Sequence, residues 1–199
     1  MPWYESHEEI LYKLWHMIED SLEKDDDPLH YPVFATVNFE EPSMRKICLR
    51  DVSIPKRKLY FHTDIRSDKI DQLRNDQHCS FLFYSKEDQI QARMWGNVKV
   101  HYDDSLADRS WDDTGLFSRK YYLREHPPGS VSKKPDSGLP DFVGKNAYTA
   151  EHSEAGRKYF AVIESQIYRI DFLYLRDKGH IRSVYKWDNG GFHPQWLIP

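Results

Sequence analysis

The chain reads as a mainly β protein with added helices, α+β in class, whose strands close or partly close into an antiparallel barrel. Three observations predict this. Runs with a period of two recur through most of the 199 residues, short turns rich in Pro, Gly, Asn and Asp separate them, and the clear helical periods lie outside those runs. Six or more antiparallel strands joined by short turns suit a barrel better than an open sheet with bare edges.

The first element is a helix. Between Glu5 and Lys24, the residues Ile10, Leu11, Leu14, Trp15, Ile18 and Leu22 share one face at helical spacing, and Asp25-Asp26-Asp27-Pro28 ends the run. His7-Glu8-Glu9 opens like a zinc-protease helix, yet position 11 is Leu where the second ligand belongs. No other histidine spacing suits a metal, so no metal site is expected.

From Tyr31 the period changes to two. Val33, Ala35 and Val37 alternate with Phe34, Thr36 and Asn38, and a turn is expected at Glu40-Glu41-Pro42-Ser43. Two strands follow, Lys46 to Val52 and Lys58 to Thr63, around a turn at Ile54-Pro55-Lys56. Ser67 is then placed to cap a short helix to Leu73. Cys79 to Tyr84 is apolar enough for a central strand. Gln89 to Tyr102 is a long alternating strand expected to bend at Gly96.

Residues 103–125 read as helical, divided at Gly115, and 126–145 (HPPGSVSKKPDSGLPDFVGK) as a long loop, functional or mobile. The β pattern resumes over Tyr159 to Glu164, Ile167 to Leu175, His180 to Trp187 and Phe192 to Ile198, with turns near Asp177-Lys178-Gly179 and Asn189-Gly190-Gly191. The whole is expected to be one domain, with the barrel over 31–102 and 159–199 and the helix and loop of 103–158 set between.

Composition narrows the function. A net charge of −4 argues against a general nucleic-acid binder. The acidic N-terminus does not resemble a secretory signal, no window approaches a membrane span, and Cys48 and Cys79 lack redox or metal spacing, which together suit the cytosol.

The stretch Arg45 to Lys69 carries the strongest functional signal. Arg45, Arg50, Arg66 and Lys69, with Thr63 and Ser67, cluster where a strand ends and a helix begins, as a small-anion or phosphate site needs. Five residues apart on one strand, Arg45 and Arg50 fall on opposite faces, so they are not one exposed stripe. Gln91 and Arg93 share a strand face, and the amide of Gln91 suits a heterocycle bearing carbonyls and ring nitrogens. His180 and Arg182, two apart, point to one side. No G-x-S-x-G, G-x-G-x-x-G or Walker loop is present.

The order RKICLR, YFHTDIRSDK, QARMWG resembles the FMN-binding split-barrel family of pyridoxamine 5′-phosphate oxidase, most firmly over Val33 to Tyr102. The resemblance implies an FMN-binding split β-barrel, an antiparallel Greek-key barrel with flanking helices, acting as a homodimer with FMN at the interface. It implies that Arg45 and Lys69 hold the FMN phosphate, that Arg50, His62 and Thr63 line the flavin, that Gln91 bonds the isoalloxazine ring, and that Arg182 also contacts FMN. On the substrate side it implies Arg50, His180, Tyr121 and Arg124, with pyridoxamine or pyridoxine 5′-phosphate as substrate.

Departures fall mostly on that side. Asp68 replaces a commonly basic position, with Arg66 and Ser67 beside it. The family's flavin-packing tryptophan falls near Leu173 or Tyr174, and its substrate-gripping R-x-H becomes Lys178-Gly179-His180. The HPPGS loop is similar to a divergent, oxidase-related branch. The implied activity is hydride transfer from substrate C4′ to flavin N5, with O2 reoxidising the flavin to give H2O2. The alternatives are an FMN reductase using a nicotinamide cofactor and a non-catalytic flavin- or haem-binding protein.

Overall fold

The computed structural model describes residues 2–38, 41–145 and 148–199. Helix α1 (His7–Asp20) starts at Ser6, whose hydroxyl accepts the Glu9 amide at 3.4 Å, and buries Ile10, Leu14, Trp15 and Ile18. A short 3-10 turn over Ser21–Glu23 extends it, and Asp27 caps a second at Pro28–His30.

Nine strands make one antiparallel sheet among the described residues. They are β1 (Val33–Asn38), β2 (Glu41–Lys46), β3 (Leu49–Ser53), β4 (Lys58–Asp64), β5 (His78–Ser85), β6 (Ile90–His101), β7 (Phe160–Tyr174), β8 (Ile181–Asp188) and β9 (Gly191–Leu197). The main path runs β2-β1-β5-β6-β7-β4-β3, with β8 pairing β7 and β9 pairing β8.

The two ends of that path, β2 and β3, are separated in sequence only by Ile47 and Cys48. The sheet must therefore roll until its edges meet. Phe34 on β1 and Phe61 on β4, four strands apart along the path, bring their rings to 4.8 Å inside the roll. Phe34, Phe61, Phe81, Phe83, Met94 and Phe172 are almost fully buried there. No ladder joins β2 to β3 among the described residues, so the barrel is split at that seam.

Four expectations are corrected. The run Lys46 to Val52 is not one strand: Lys46 ends β2, the Ile47 amide still donates to the Pro32 carbonyl at 3.1 Å in the β1–β2 register, and β3 begins only at Leu49. Arg45 and Arg50 thus sit on different strands, and the argument from their spacing fails. Glu41, Pro42 and Ser43 belong to β2, where an edge position tolerates proline, while Glu40 lies outside the described residues. The runs 159–164 and 167–175 are one strand, β7, which pairs β4 through Phe160–Gln166 and β8 through Arg169–Tyr174. Finally, Ser67 occupies the N-cap of α2 (Asp68–Asn75), but its hydroxyl donates to the Asp64 carbonyl at 2.7 Å instead of capping.

Gly96 marks an irregularity between β6 and β7, where Tyr168 of β7 is the residue left without a partner in the register. The β6–β7 register shifts between Trp95 and Gly96, and a Cβ there would lie 3.0 Å from the Gln166 carbonyl oxygen. Beyond β6 the chain forms α3 (Ser105–Asp113), α4 (Leu116–Arg119), a 3-10 turn over Lys120–Leu123 and α5 (Ala150–Glu154), with Gly115 dividing α3 from α4. Trp111 and Tyr122 pack on Phe160 and Val162 as a second, small core. Asn189 and Gly190, both at positive φ, make the tight β8–β9 turn.

Candidate functional site

The cradle forms where β4 runs into α2. Lys69 Nζ donates to Thr63 Oγ1 and to Ser67 Oγ, both at 2.9 Å, and the two hydroxyl oxygens are 3.3 Å apart. Arg45 reaches in from β2, donating to Thr36 Oγ1 at 2.7 Å and Gln72 Oε1 at 3.1 Å, while Thr36 itself donates to Gln72 at 2.6 Å. Thr36, Thr63, Ser67 and Gln72 are all buried.

Both cations are bonded only to neutral oxygens among the described residues. Burial, with Arg45 nearby, pulls Lys69 down to about 8, Asp64 and Asp68 opposing; burial likewise lowers Arg45. Two desolvated positive charges without a carboxylate in contact call for an anion from outside.

Arg66 is already engaged by other partners. Its guanidinium grips buried Asp64 at 3.0 and 2.7 Å, donates to the Arg124 carbonyl at 3.1 Å, and covers the Tyr159 ring at 3.5 Å. It ties the cradle to the following loop and does not offset Asp68, which is exposed.

A second group, Arg50 and His62, lies apart from the cradle in a cavity of about 370 Å³ between β3, β4 and the α3–α4 junction. Thr63 and His62, adjacent on β4, face opposite ways, as strand geometry requires. Burial, with Arg50 beside it, drops His62 to about 3, so the ring is neutral at physiological pH.

The third group lies on the outer face of the sheet. Phe34 pairs with Arg45 and Phe81, and Phe81 with Met94, which puts Arg45 on the inner side. Gln91, three residues before Met94, is on the outer side, opposite Leu173, which in turn faces Arg182. Between them Asp171, only 3% exposed, accepts from Arg93 at 2.6 Å and from Arg182 at 3.0 and 2.9 Å. Burial alone would raise the Asp171 carboxyl, but these bonds outweigh it and the net shift is downward. His180 precedes β8, is exposed, and makes no hydrogen bond among the described residues.

Tyr121 and Arg124 stand elsewhere again. Arg124 donates to the carbonyls of Ser137 and Tyr121 and borders an open cavity of about 1250 Å³, lined mainly between Leu123 and Asp141. Its guanidinium shapes the loop.

The structure thus joins Arg45, Thr63, Ser67 and Lys69, and separately Arg50 with His62, but does not bring Gln91 or Arg182 to either. Sequence reasoning missed Thr36, Gln72 and Asp171. For Asp171 a signal existed: a lone acid in the apolar run IDFLY.

These features define a split-barrel protein of mostly antiparallel sheet with flanking helices and a cationic cradle at its rim. The chain resembles the pyridoxamine 5′-phosphate oxidase-like FMN-binding family: residues 12–102 match the family model described as pyridoxamine 5′-phosphate oxidase, FMN-binding domain. The match includes the cradle and Gln91 but stops before Tyr121, Arg124, His180 and Arg182. Among solved structures, a pyridoxamine 5′-phosphate oxidase-related, FMN binding protein of Nostoc punctiforme PCC 73102 is 20% identical, with TM-score 0.71 over 94% of this chain and 96% of that one. PhzG from Burkholderia lata 383, in complex with tetrahydrophenazine-1-carboxylic acid, is also 20% identical, with TM-score 0.75 over 100% and 97%. At that identity the likeness is one of fold. No curated protein matches the chain. No described helix is long and apolar enough to cross a membrane, and no group of three or more His, Cys, Asp or Glu among the described residues is placed to hold a metal.

Proposed function

We propose that the protein is an FMN-dependent oxidoreductase of the pyridoxamine 5′-phosphate oxidase type, working as a cytosolic homodimer. The observation that carries this reading is the cradle: Lys69 and Arg45, desolvated and bonded only to neutral oxygens, fit a phosphate dianion. FMN, when bound, would supply the redox chemistry, taking a hydride at N5 from the C4′ carbon of pyridoxamine or pyridoxine 5′-phosphate and passing the electrons to O2 as H2O2.

The chain's own residues divide the remaining work. Lys69, Arg45, Thr63 and Ser67 grip the phosphate, and Arg66 holds their frame through Asp64. Gln91 and Arg182 meet the flavin ring, with Asp171 fixing Arg182. Arg50, beside neutral His62, binds substrate; Tyr121, Arg124 and His180 lie apart from this cavity. Neutral His62 accepts or donates hydrogen bonds and is too weak a base to take a proton from a bound cation near pH 7.

The pleat supports the dimer. The cradle opens on the inner side and Gln91 and Arg182 lie on the outer, so one ligand that touches both sets takes them from two copies. Beside Gln91 that outer face exposes Val37, Met44, Leu82 and Tyr84, an apolar patch suited to a second copy. The two free thiols agree with the cytosol.

Visible absorbance of the purified protein, followed by release and identification of the bound ligand, tests the cofactor. Incubation with pyridoxine 5′-phosphate under air tests the reaction, and absence of pyridoxal 5′-phosphate would defeat the oxidase reading even with FMN bound. A monomeric mass in solution with FMN retained would defeat the interface site.

A further inference from the structure

The cavity that holds Arg50 and His62 carries a more specific message about the substrate. Arg50 and Asp51 are consecutive on β3, and in a regular strand one would face away. Here the β3–β4 register shifts between Leu49 and Asp51, and both residues line the same cavity. Such a bulge re-aims side chains at the cost of a ladder bond. Across from them α3 ends at Asp113, which also lines the cavity.

The charges there are opposite but unpaired. No ion pair links Arg50 to Asp51 or Asp113, and Asp113 has no partner among the described residues. Asp51 accepts only the neighbouring Val52 amide, at 2.8 Å. A cavity whose exposed rim carries a guanidinium and two carboxylates with no ion pair between them is complementary to a molecule that is itself dipolar.

The imidazole adds direction. Thr114 donates its hydroxyl proton to the Ser110 carbonyl at 2.6 Å, so toward His62 Nδ1, 3.4 Å away, it can only accept. The proton of the neutral ring therefore sits on Nδ1, and Nε2 keeps its lone pair. Nε2 has no partner among the described residues and is not among the buried unsatisfied atoms, which leaves it open to a ligand's N–H or O–H.

We propose that this cavity selects amphoteric substrates, an anionic group on Arg50 and a protonated amine toward Asp51 and Asp113, and so prefers an amine over the alcohol of the same skeleton. The inference rests on the proposed function for the cavity's place beside a flavin, and on geometry alone for the binding. Phosphate and carboxylate both satisfy Arg50, and the test separates them.

The purified protein, its FMN content recorded by absorbance, is titrated calorimetrically with two pairs: pyridoxamine and pyridoxine 5′-phosphates, and 4-(aminomethyl)benzoate and 4-(hydroxymethyl)benzoate. We expect the amine of at least one pair to bind about tenfold tighter than its alcohol, the size of one charge-assisted hydrogen bond. The phosphate pair responding alone assigns a phosphate anion, and the benzoate pair a carboxylate. Asp113→Asn, or Asp51→Asn with it, should erase the preference, and Arg50→Ala should weaken both members of a pair. Equal or tighter binding of the alcohols, no binding by any of the four, or a preference that survives the double asparagine variant overturns the inference. A colourless protein that still prefers amines would refute the flavin reading and leave this one standing.

Discussion

Arg182 meets Asp171 side-on, its Nε 3.0 Å from Oδ1 and its Nη2 2.9 Å from Oδ2, while Arg93 reaches the same Oδ2 at 2.6 Å from the opposite strand. One buried carboxylate therefore orients two arginines on the outer face of the sheet. Asp171→Ala should destabilise the protein by ~2–3 kcal/mol, since it removes charge-assisted bonds while leaving arginines that water can reach. Urea unfolding measures this. Because the Asp171 carboxyl is held below its ordinary range, its contribution is complete at neutral pH and vanishes only as acid takes the pH below that range. The alanine variant should therefore lose part of the acid-unfolding limb below about pH 4.

Lys69 is expected to trade stability for binding. Lys69→Ala and Arg45→Ala should each weaken FMN by ~1.5–3 kcal/mol. Lys69→Met should leave the FMN-free protein as stable or more so, because it removes a desolvated charge. With Lys69 near 8 in the fold against 10.5 ordinarily, the unfolded chain binds the extra proton between those values, so the FMN-free protein should gain stability as pH rises from 8 to 10.5. FMN affinity should fall over the onset of the same range as the ammonium is lost. Thermal melts and flavin fluorescence titrations at several pH values check both trends.

His62 predicts the mild-acid behaviour. Its value of about 3 in the fold lies below the ordinary 6.5, so between these limits the unfolded chain binds a proton that the native state refuses. Stability should decline as pH falls from 6.5, before most carboxylates titrate. His62→Gln should flatten the profile between about pH 6.5 and 4.5. An unchanged slope would show that His62 does charge in the native protein.

Gly96 is required by packing. A Cβ there would meet the Gln166 carbonyl oxygen at 3.0 Å and Ile167 Cδ1 at 3.1 Å, and backbone cannot swing aside as a side chain can. Gly96→Ala should cost about 1–3 kcal/mol and Gly96→Val more. Melting temperatures of the two variants would order them.

Several elements were legible in advance because local chemistry fixes them. The apolar face of α1 and the hairpin turn at Asn189-Gly190 each follow from periodicity or from a residue's own backbone preferences. The break at Ile47–Cys48 was not legible, because those residues are as β-prone as their neighbours and leave the ladder only to carry the chain from one sheet edge to the other. Nor was the single strand β7. Ser165 and Gln166 resemble a turn, yet the former is buried and the latter sits where the strand leaves β4.

The site divides in the same way. The sequence alone determined that Arg45, Thr63, Ser67 and Lys69 lie close along the chain with the chemistry of an anion cradle, and that Gln91 and Arg93 share a face. Tertiary structure decided which cations are free. Asp64 withdraws Arg66, Asp171 engages Arg93 and Arg182, and a one-residue bulge turns Arg50 and Asp51 into a single cavity. The physical reason is that periodicity sets which way a side chain points along its own strand, whereas partner choice depends on register between strands far apart in sequence, which only the assembled sheet fixes.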